Sequence, residues 1–406
     1  MKKINTDGTF KENKNLSIHR WYPYVEGFSE QFVLDCLKYN KDAKIIYDPF
    51  NGSGTTSTTC ALNGIECYAS EVNPFMQFVA ETKIKTVKKI LINNKINTIQ
   101  DELKKFTISD KTLYKNNCIN NCYKNFDFFS EKNLEQINII KNYTNNIEDE
   151  DIKNIFKMAL ASIITKVSKM IRNTDLRKRT EKELENVPED VYNEFKKSLE
   201  NMLEDIKLVS NSTNGGKDIK EFKFISNNAK KIDKKYNGKV DMIITSPPYI
   251  NGTNYFRNTK LELWILDYIF CDNDSKKYRL EAITAGINNV TKDIIIKNSR
   301  KIVKDIAKKI CKKSPDKRIS KMIEAYFSDM EIVFKNFGNI LKKEGYIFFD
   351  IGDSQYYNVY VPVYDIIKEI GNENNLKIIE EIELRKRISK NGMKLTQKLL
   401  IFRKEF

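Results

Sequence analysis

Nine consecutive residues, Asp48-Pro49-Phe50-Asn51-Gly52-Ser53-Gly54-Thr55-Thr56, set limits on the architecture open to this chain. A short apolar run, 43–47, precedes them, with Ile45 and Ile46 at its centre. Behind them 55–63 has the pattern of a helix, which Gly64 ends. The order is therefore strand, glycine turn, helix. Without a Cβ, glycine adopts dihedrals closed to other residues and lets a ligand approach the backbone. A second strand, 65–70, follows and ends in Glu71. An acidic side chain at that point can accept hydrogen bonds from two ribose hydroxyls. A lone G-x-G occurs in many loops, but the full ordered set points to a nucleoside-containing cofactor.

The composition narrows the chemistry. The 406 residues suffice for one large α/β domain with insertions, or for two domains. The net charge of +15 favours a polyanionic partner, against the alternative that Lys-rich usage is only a habit of composition. The cysteines number 7, odd and irregularly spaced, which argues against a disulfide framework. Cys118 and Cys122 have neither a second pair nor nearby histidines, so no zinc site is expected. His19 is the only histidine, which excludes chemistry needing two. The first residues lack the apolar stretch of a signal peptide, and no run approaches the length of a membrane span, so a cytoplasmic protein is expected.

Ahead of the glycine turn lies His19-Arg20-Trp21-Tyr22-Pro23-Tyr24-Val25-Glu26-Gly27-Phe28-Ser29, an aromatic loop punctuated by Pro and Gly. Ser29 can cap the helix behind it. Residues 74–92 read as helical, and from there to about 220 the chain is helical and short of strand signals. The clearest helical periodicity covers 151–173. Strands return at 222–226 and 240–245, a helix is expected at 259–270, and 291–321 holds the densest basic run. A long amphipathic helix over 322–343 is followed by a strand at 346–351 and a helix from about Pro362. Two late strands, 376–384 and 398–403, can pair antiparallel. Alternating strands and helices favour a mostly parallel sheet covered on both faces, with ligands at the carboxyl ends of its strands.

Thr245-Ser246-Pro247-Pro248-Tyr249 stands directly behind one of those strands. Two prolines fix φ and remove two backbone donors, leaving a stiff loop that presents carbonyls. Ser246 adds a hydroxyl acceptor and Tyr249 a flat ring. Such a group suits a planar ligand carrying an exocyclic amine, as a nucleobase does.

With these residues the chain resembles the S-adenosylmethionine-dependent DNA methyltransferases that modify exocyclic amino groups. The likeness covers about 19–85 and 222–406. Asp48 to Thr55 matches the family's motif I, Glu71-Val72-Asn73-Pro74 its acidic motif II, and Thr245 to Tyr249 its catalytic motif IV. Ser226-Asn227-Asn228-Ala229 matches motif III, with Asn228 in place of a more usual Asp. The stretch from His19 to Ser29 resembles motif X, the cofactor lid, which makes the order X, I, IV. The large insertion departs from the pattern by lying before motif III.

The resemblance implies a class I Rossmann-like α/β fold, with a mostly parallel seven-stranded sheet, a terminal antiparallel strand and helical insertions. Residues 1–92 would form the cofactor-binding part and 93–220 a helical insertion, a candidate target-recognition region. Residues 221–406 would form the catalytic part, with a basic helical insertion at 252–325. The cofactor, S-adenosyl-L-methionine, would be held by Trp21, Tyr22, Pro23, Asp48, Phe50, Gly52, Gly54, Thr55, Glu71, Asn228 and Thr245. A base flipped out of double-stranded DNA would stack on Tyr249, while Ser246 and the Pro247 carbonyl, stiffened by Pro248, accept its amino hydrogens. Lys297, Arg300, Lys301, Lys304, Arg385 and Arg387 would contact DNA phosphates. In this family a Ser before Pro-Pro-Tyr more often accompanies cytosine N4, and Asp or Asn adenine N6, so the resemblance favours cytosine N4 over adenine N6. The physical basis is partial: a serine hydroxyl is a neutral acceptor that can also donate to cytosine N3, but either base can in principle use either group. A 5-carbon cytosine methyltransferase needs a nucleophilic cysteine, typically after proline, and no Pro-Cys occurs. No metal is required, and a cognate restriction endonuclease is an expected partner. The rival readings are an RNA or protein-glutamine methyltransferase and a non-catalytic nucleic-acid-binding subunit.

Overall fold

The computed structural model describes residues 4 and 9–405, apart from 25–26, 173–174, 251–255, 292–293, 295, 297–298, 389–391 and 393 and the side chains of 272, 387 and 388. Seven strands form its main sheet: β1 (Ile45–Asp48), β2 (Glu66–Ser70), β3 (Phe222–Ser226), β4 (Val240–Thr245), β5 (Leu341–Gly352), β6 (Leu376–Ile388) and β7 (Lys394–Lys404). Their order across the sheet is β6-β7-β5-β4-β1-β2-β3. Neighbours from β5 to β3 are parallel, and β7 is inserted antiparallel between β5 and β6. This is the α/β architecture expected above, with the two late strands paired as anticipated.

Side-chain alternation divides the core between the two faces. Ile46, Met242, Ile244 and Phe348 point to one face, where they meet Phe32, Phe75 and the apolar sides of the 93–220 helices. Tyr47, Ile243, Ile347 and Phe349 point to the other, against the helices Arg318–Ile340 and Val363–Glu373. The central strands are therefore apolar along nearly their whole length. The insertion 93–220 shares one continuous apolar core with the sheet.

Three expectations need correction. The helix expected over 151–173 runs only over Glu150–Ile164. The chain then turns, with Ser168 Oγ accepting from Met170 N at 3.0 Å, and forms a hairpin of Met170–Arg172 with Leu176–Lys178. Val167 remains buried in the turn, so the apolar spacing outlasts the helix. The helix expected over 322–343 spans Arg318–Ile340, and β5 begins at Leu341. A bulge lies at this start: Val240 faces Leu341 while Met242 faces Tyr346. At 259–270 only Lys260–Ile265 is α-helical, after a 3₁₀ turn at Arg257–Thr259. None of the described helices is long and apolar enough to cross a membrane.

Candidate functional site

Because β1, β2, β3 and β4 run parallel, their carboxyl ends share one edge, and the motifs that follow them open on one cavity of about 290 Å³. At the end of β1, Asp48 is buried and its Oδ1 accepts from Phe50 N at 3.0 Å and from Thr245 Oγ1 at 2.7 Å. The second bond ties the glycine turn to the end of β4. Burial pushes the Asp48 carboxyl up to about 6, against the pull of the Thr245 and Thr56 hydroxyls and the Phe50 amide.

Gly52 and Gly54 take φ of +49° and +84°. A Cβ on Gly52 would stand 3.1 Å from the Tyr24 ring, and one on Gly54 would stand 3.0 Å from Ala80 Cβ. Both positions are therefore closed to larger residues, and Gly54 lets the helix Thr55–Leu62 start against the helix Pro74–Glu81. At the tip of β2, Glu71 accepts from Gly52 N through one oxygen and from Asn73 N through the other, each at 2.8 Å. Its side chain opens on the cavity but is otherwise walled in by protein, and burial pushes its carboxyl up to about 7. Each oxygen retains a lone pair for a ligand hydroxyl. Asn51 lies on the same wall: its carboxamide is buried, and neither polar atom has a hydrogen-bond partner among the described residues. A wall with two carboxylate acceptors, an unsatisfied amide and a glycine backbone fits the polar groups of a nucleoside cofactor.

The cavity continues to Ser246, Pro247, Pro248 and Tyr249. Ser246 Oγ lies 3.4 Å from the Tyr249 hydroxyl, which donates to Asp350 Oδ1 on β5 at 3.0 Å. Gln397 on β7 donates to both Asp350 oxygens, at 2.7 and 2.8 Å, and accepts from Arg385 Nε on β6 at 2.6 Å.

Of the expected cofactor residues, Asp48, Phe50, Gly52, Thr55, Glu71 and Asn228 line the cavity. Gly54 and Thr245 stand behind it and hold its walls through the contacts above. Trp21, Tyr22 and Pro23 do not line it. Trp21 is buried and donates to Asp205 at 3.0 Å; Tyr22 is buried edge-on to Phe75 beneath Arg172; Pro23 is exposed. From this aromatic segment it is Tyr24, with Gly27 and Phe28, that reaches the cavity. Asp205, in the helix Val191–Ser212, anchors the segment by accepting also from Ile18 N and the Arg20 guanidinium. Lys83 adds a second tie: its buried ammonium donates to the carbonyls of Ser53 at 3.0 Å and His19 at 3.3 Å, and burial pushes it down to about 7. Asp205→Ala would strand the Trp21 and Ile18 donors and free a cation, so a loss of about 3–5 kcal/mol is expected in urea unfolding. A change within about 0.5 kcal/mol, the scale of surface substitutions, would contradict this anchoring role.

The expected DNA-contacting residues divide. Lys301 and Lys304 are exposed on the helix Lys301–Lys313, whose apolar side is buried. Arg300 is held by Glu331, at 3.0 Å, and by Glu373, with Glu369 nearby, so a phosphate would have to displace carboxylates to reach it. Arg385 is exposed at the rim of the cavity. Lys297 and the Arg387 side chain lie outside the described residues. Asp350 and Gln397 escaped the sequence reading, while Asn51 and Tyr24 lie in stretches it assigned to the cofactor without being singled out. Asn51 lies inside a recognised motif, whereas Asp350 and Gln397 look like ordinary strand residues until the strands are paired.

No family model matches the chain. Among curated proteins it is similar to the Type II methyltransferase M.MvaI of Kocuria varians, 23% identical over 398 residues that cover 92% of this chain and 86% of that protein. It is also similar to the Type II methyltransferase M.BsoBI of Geobacillus stearothermophilus, 27% identical over 298 residues, or 67% of this chain and 56% of that protein. Among solved structures, an SAM-dependent methyltransferase from Methanosarcina mazei covers 91% of this chain and 97% of its own at 8% identity, with a TM-score of 0.32, too distant a likeness to bear on fold or function.

Proposed function

We propose that this chain is an S-adenosyl-L-methionine-dependent methyltransferase that modifies the exocyclic amino group of a base in double-stranded DNA, at cytosine N4. The observation that carries the reading is the shared cavity: the glycine turn and Glu71 form one wall, and Ser246-Pro247-Pro248-Tyr249 another. A cofactor site and an acceptor site for a planar amine thus open on the same space. The relatives being Type II methyltransferases supports the same reaction class.

When bound, the cofactor supplies an electrophilic methyl group on a sulfonium. The protein's part is binding and orientation. Glu71 accepts ribose hydroxyls, and Asn51 satisfies its carboxamide on a polar group of the cofactor. Tyr249 stacks on the flipped base. The Ser246 oxygen and the Pro247 carbonyl accept the two amino hydrogens, which withdraws the nitrogen lone pair from the ring and makes it nucleophilic. Positioning and fixed acceptors supply most of the rate. Lys301, Lys304 and Arg385 contribute phosphate attraction from exposed positions.

Cytosine N4 is preferred because, in the family the chain resembles, a Ser before Pro-Pro-Tyr more often accompanies cytosine N4. The neutrality of Ser246 does not by itself separate the bases, since adenine N1 and cytosine N3 both carry a lone pair beside the amine. The 3.4 Å contact of Ser246 with the Tyr249 hydroxyl competes with the donation to cytosine N3 considered above. Adenine N6 is the alternative target. Incubation with methyl-labelled cofactor and, separately, duplex DNA, tRNA and a ribosomal fraction tests the substrate class. Label in duplex DNA is expected, and label confined to RNA or protein would overturn the reading.

A further inference from the structure

We propose that Asp350 is a positioning residue that keeps the Ser246 oxygen an acceptor toward the cavity; this rests on the methyl-transfer reading above. An arginine Nε–H can only donate, so its 2.6 Å bond fixes which end of the Gln397 amide is oxygen. The Gln397 NH2 must then point at Asp350, whose two oxygens it reaches at 2.7 and 2.8 Å. Strand pairing makes this arrangement rigid. Gln397 lies directly opposite Arg385 across β6 and β7, and Leu399 lies opposite Asp350 across β7 and β5, which makes Gln397 and Asp350 diagonal neighbours on one face.

Asp350 is 1% exposed, accepts from Gln397, and also accepts from the Tyr249 hydroxyl at 3.0 Å. With its hydrogen given to Asp350, the Tyr249 oxygen can accept from the Ser246 hydroxyl, 3.4 Å away. That contact is longer than an ordinary O–H···O bond, so it biases the direction of the Ser246 hydrogen rather than fixing it. With its hydrogen turned to Tyr249, Ser246 presents lone pairs to the cavity, as an amine donor requires. An asparagine at 350 would have nearly the same shape but could present NH2 to Tyr249, which would then turn its own hydrogen toward Ser246 and release the Ser246 hydrogen into the cavity.

The test is single-turnover methyl transfer to duplex DNA by the full chain, with cofactor affinity measured alongside. Asp350→Asn is expected to lower the transfer rate on the order of tenfold or more, with cofactor affinity and the KM for DNA within about twofold of wild type. In a Ser246→Ala background the same change should have no further effect, because the oxygen it orients is gone. Tyr249→Phe, which keeps the ring and leaves Asp350 untouched, should behave in the same way and serves if Asp350→Asn does not fold. A wild-type rate in Asp350→Asn, or an equal drop with and without Ser246, would overturn the positioning role while leaving the methyltransferase reading intact. A wild-type chain that transfers no methyl to DNA would overturn the reading and this proposal with it.

Discussion

Ser246→Ala should slow methyl transfer on the order of 10²-fold, the scale on which loss of one preorganised hydrogen-bonding group is felt, with cofactor affinity nearly unchanged. The expectation follows from the division of the cavity. Ser246 stands on the wall behind β4, whereas the glycine turn and Glu71 stand behind β1 and β2. No hydrogen bond among those described joins Ser246 to either of them. Single-turnover rates beside calorimetric cofactor titration separate the two effects. A wild-type rate would mean that the Pro247 carbonyl suffices and that the hydroxyl has been given the wrong role.

Glu71→Ala should weaken cofactor binding by about 1.5–3 kcal/mol, the usual range for hydrogen bonds to a charged group. It removes acceptors for two hydroxyls and also leaves the Gly52 and Asn73 amides without their partner. A pH dependence accompanies it. Burial pushes the Glu71 carboxyl up to about 7, so below that pH the group is neutral and one oxygen carries a proton. Ionisation restores both acceptors, and cofactor affinity should therefore rise as pH rises through about 7. Asp48, pushed up to about 6, titrates earlier and raises Glu71 by like charge. Glu71→Gln should remove the step near 7 and leave any step near 6. Unchanged affinity in Glu71→Ala would take this residue out of the site.

What could be read from the sequence was local. The glycine turn, the acid after β2, the Pro-Pro-Tyr loop and the Ser29 cap, which accepts from Phe32 N at 3.2 Å, each declare themselves within a few residues. What depends on distant pairing stayed hidden. Asp350 meets Tyr249 across 101 positions and Gln397 across 47, and neither separation leaves a trace in periodicity. The aromatic segment shows the same limit. Its composition announces a packed corner, but Asp205, 184 positions from Trp21, decides that Trp21 turns inward and leaves Tyr24 to face the cavity. Charge was the least informative signal, because Arg300 sits in the basic stretch yet is occupied by its own carboxylates.

The decisive atom is the one that receives the methyl group. Duplex DNA treated with the full chain and methyl-labelled S-adenosyl-L-methionine, digested to nucleosides and resolved by mass spectrometry, identifies it. The expected result is label in N4-methyldeoxycytidine. Label only in N6-methyldeoxyadenosine would overturn the choice of base that Ser246 supports, and DNA without label in any amino-methylated nucleoside would contradict the account as a whole.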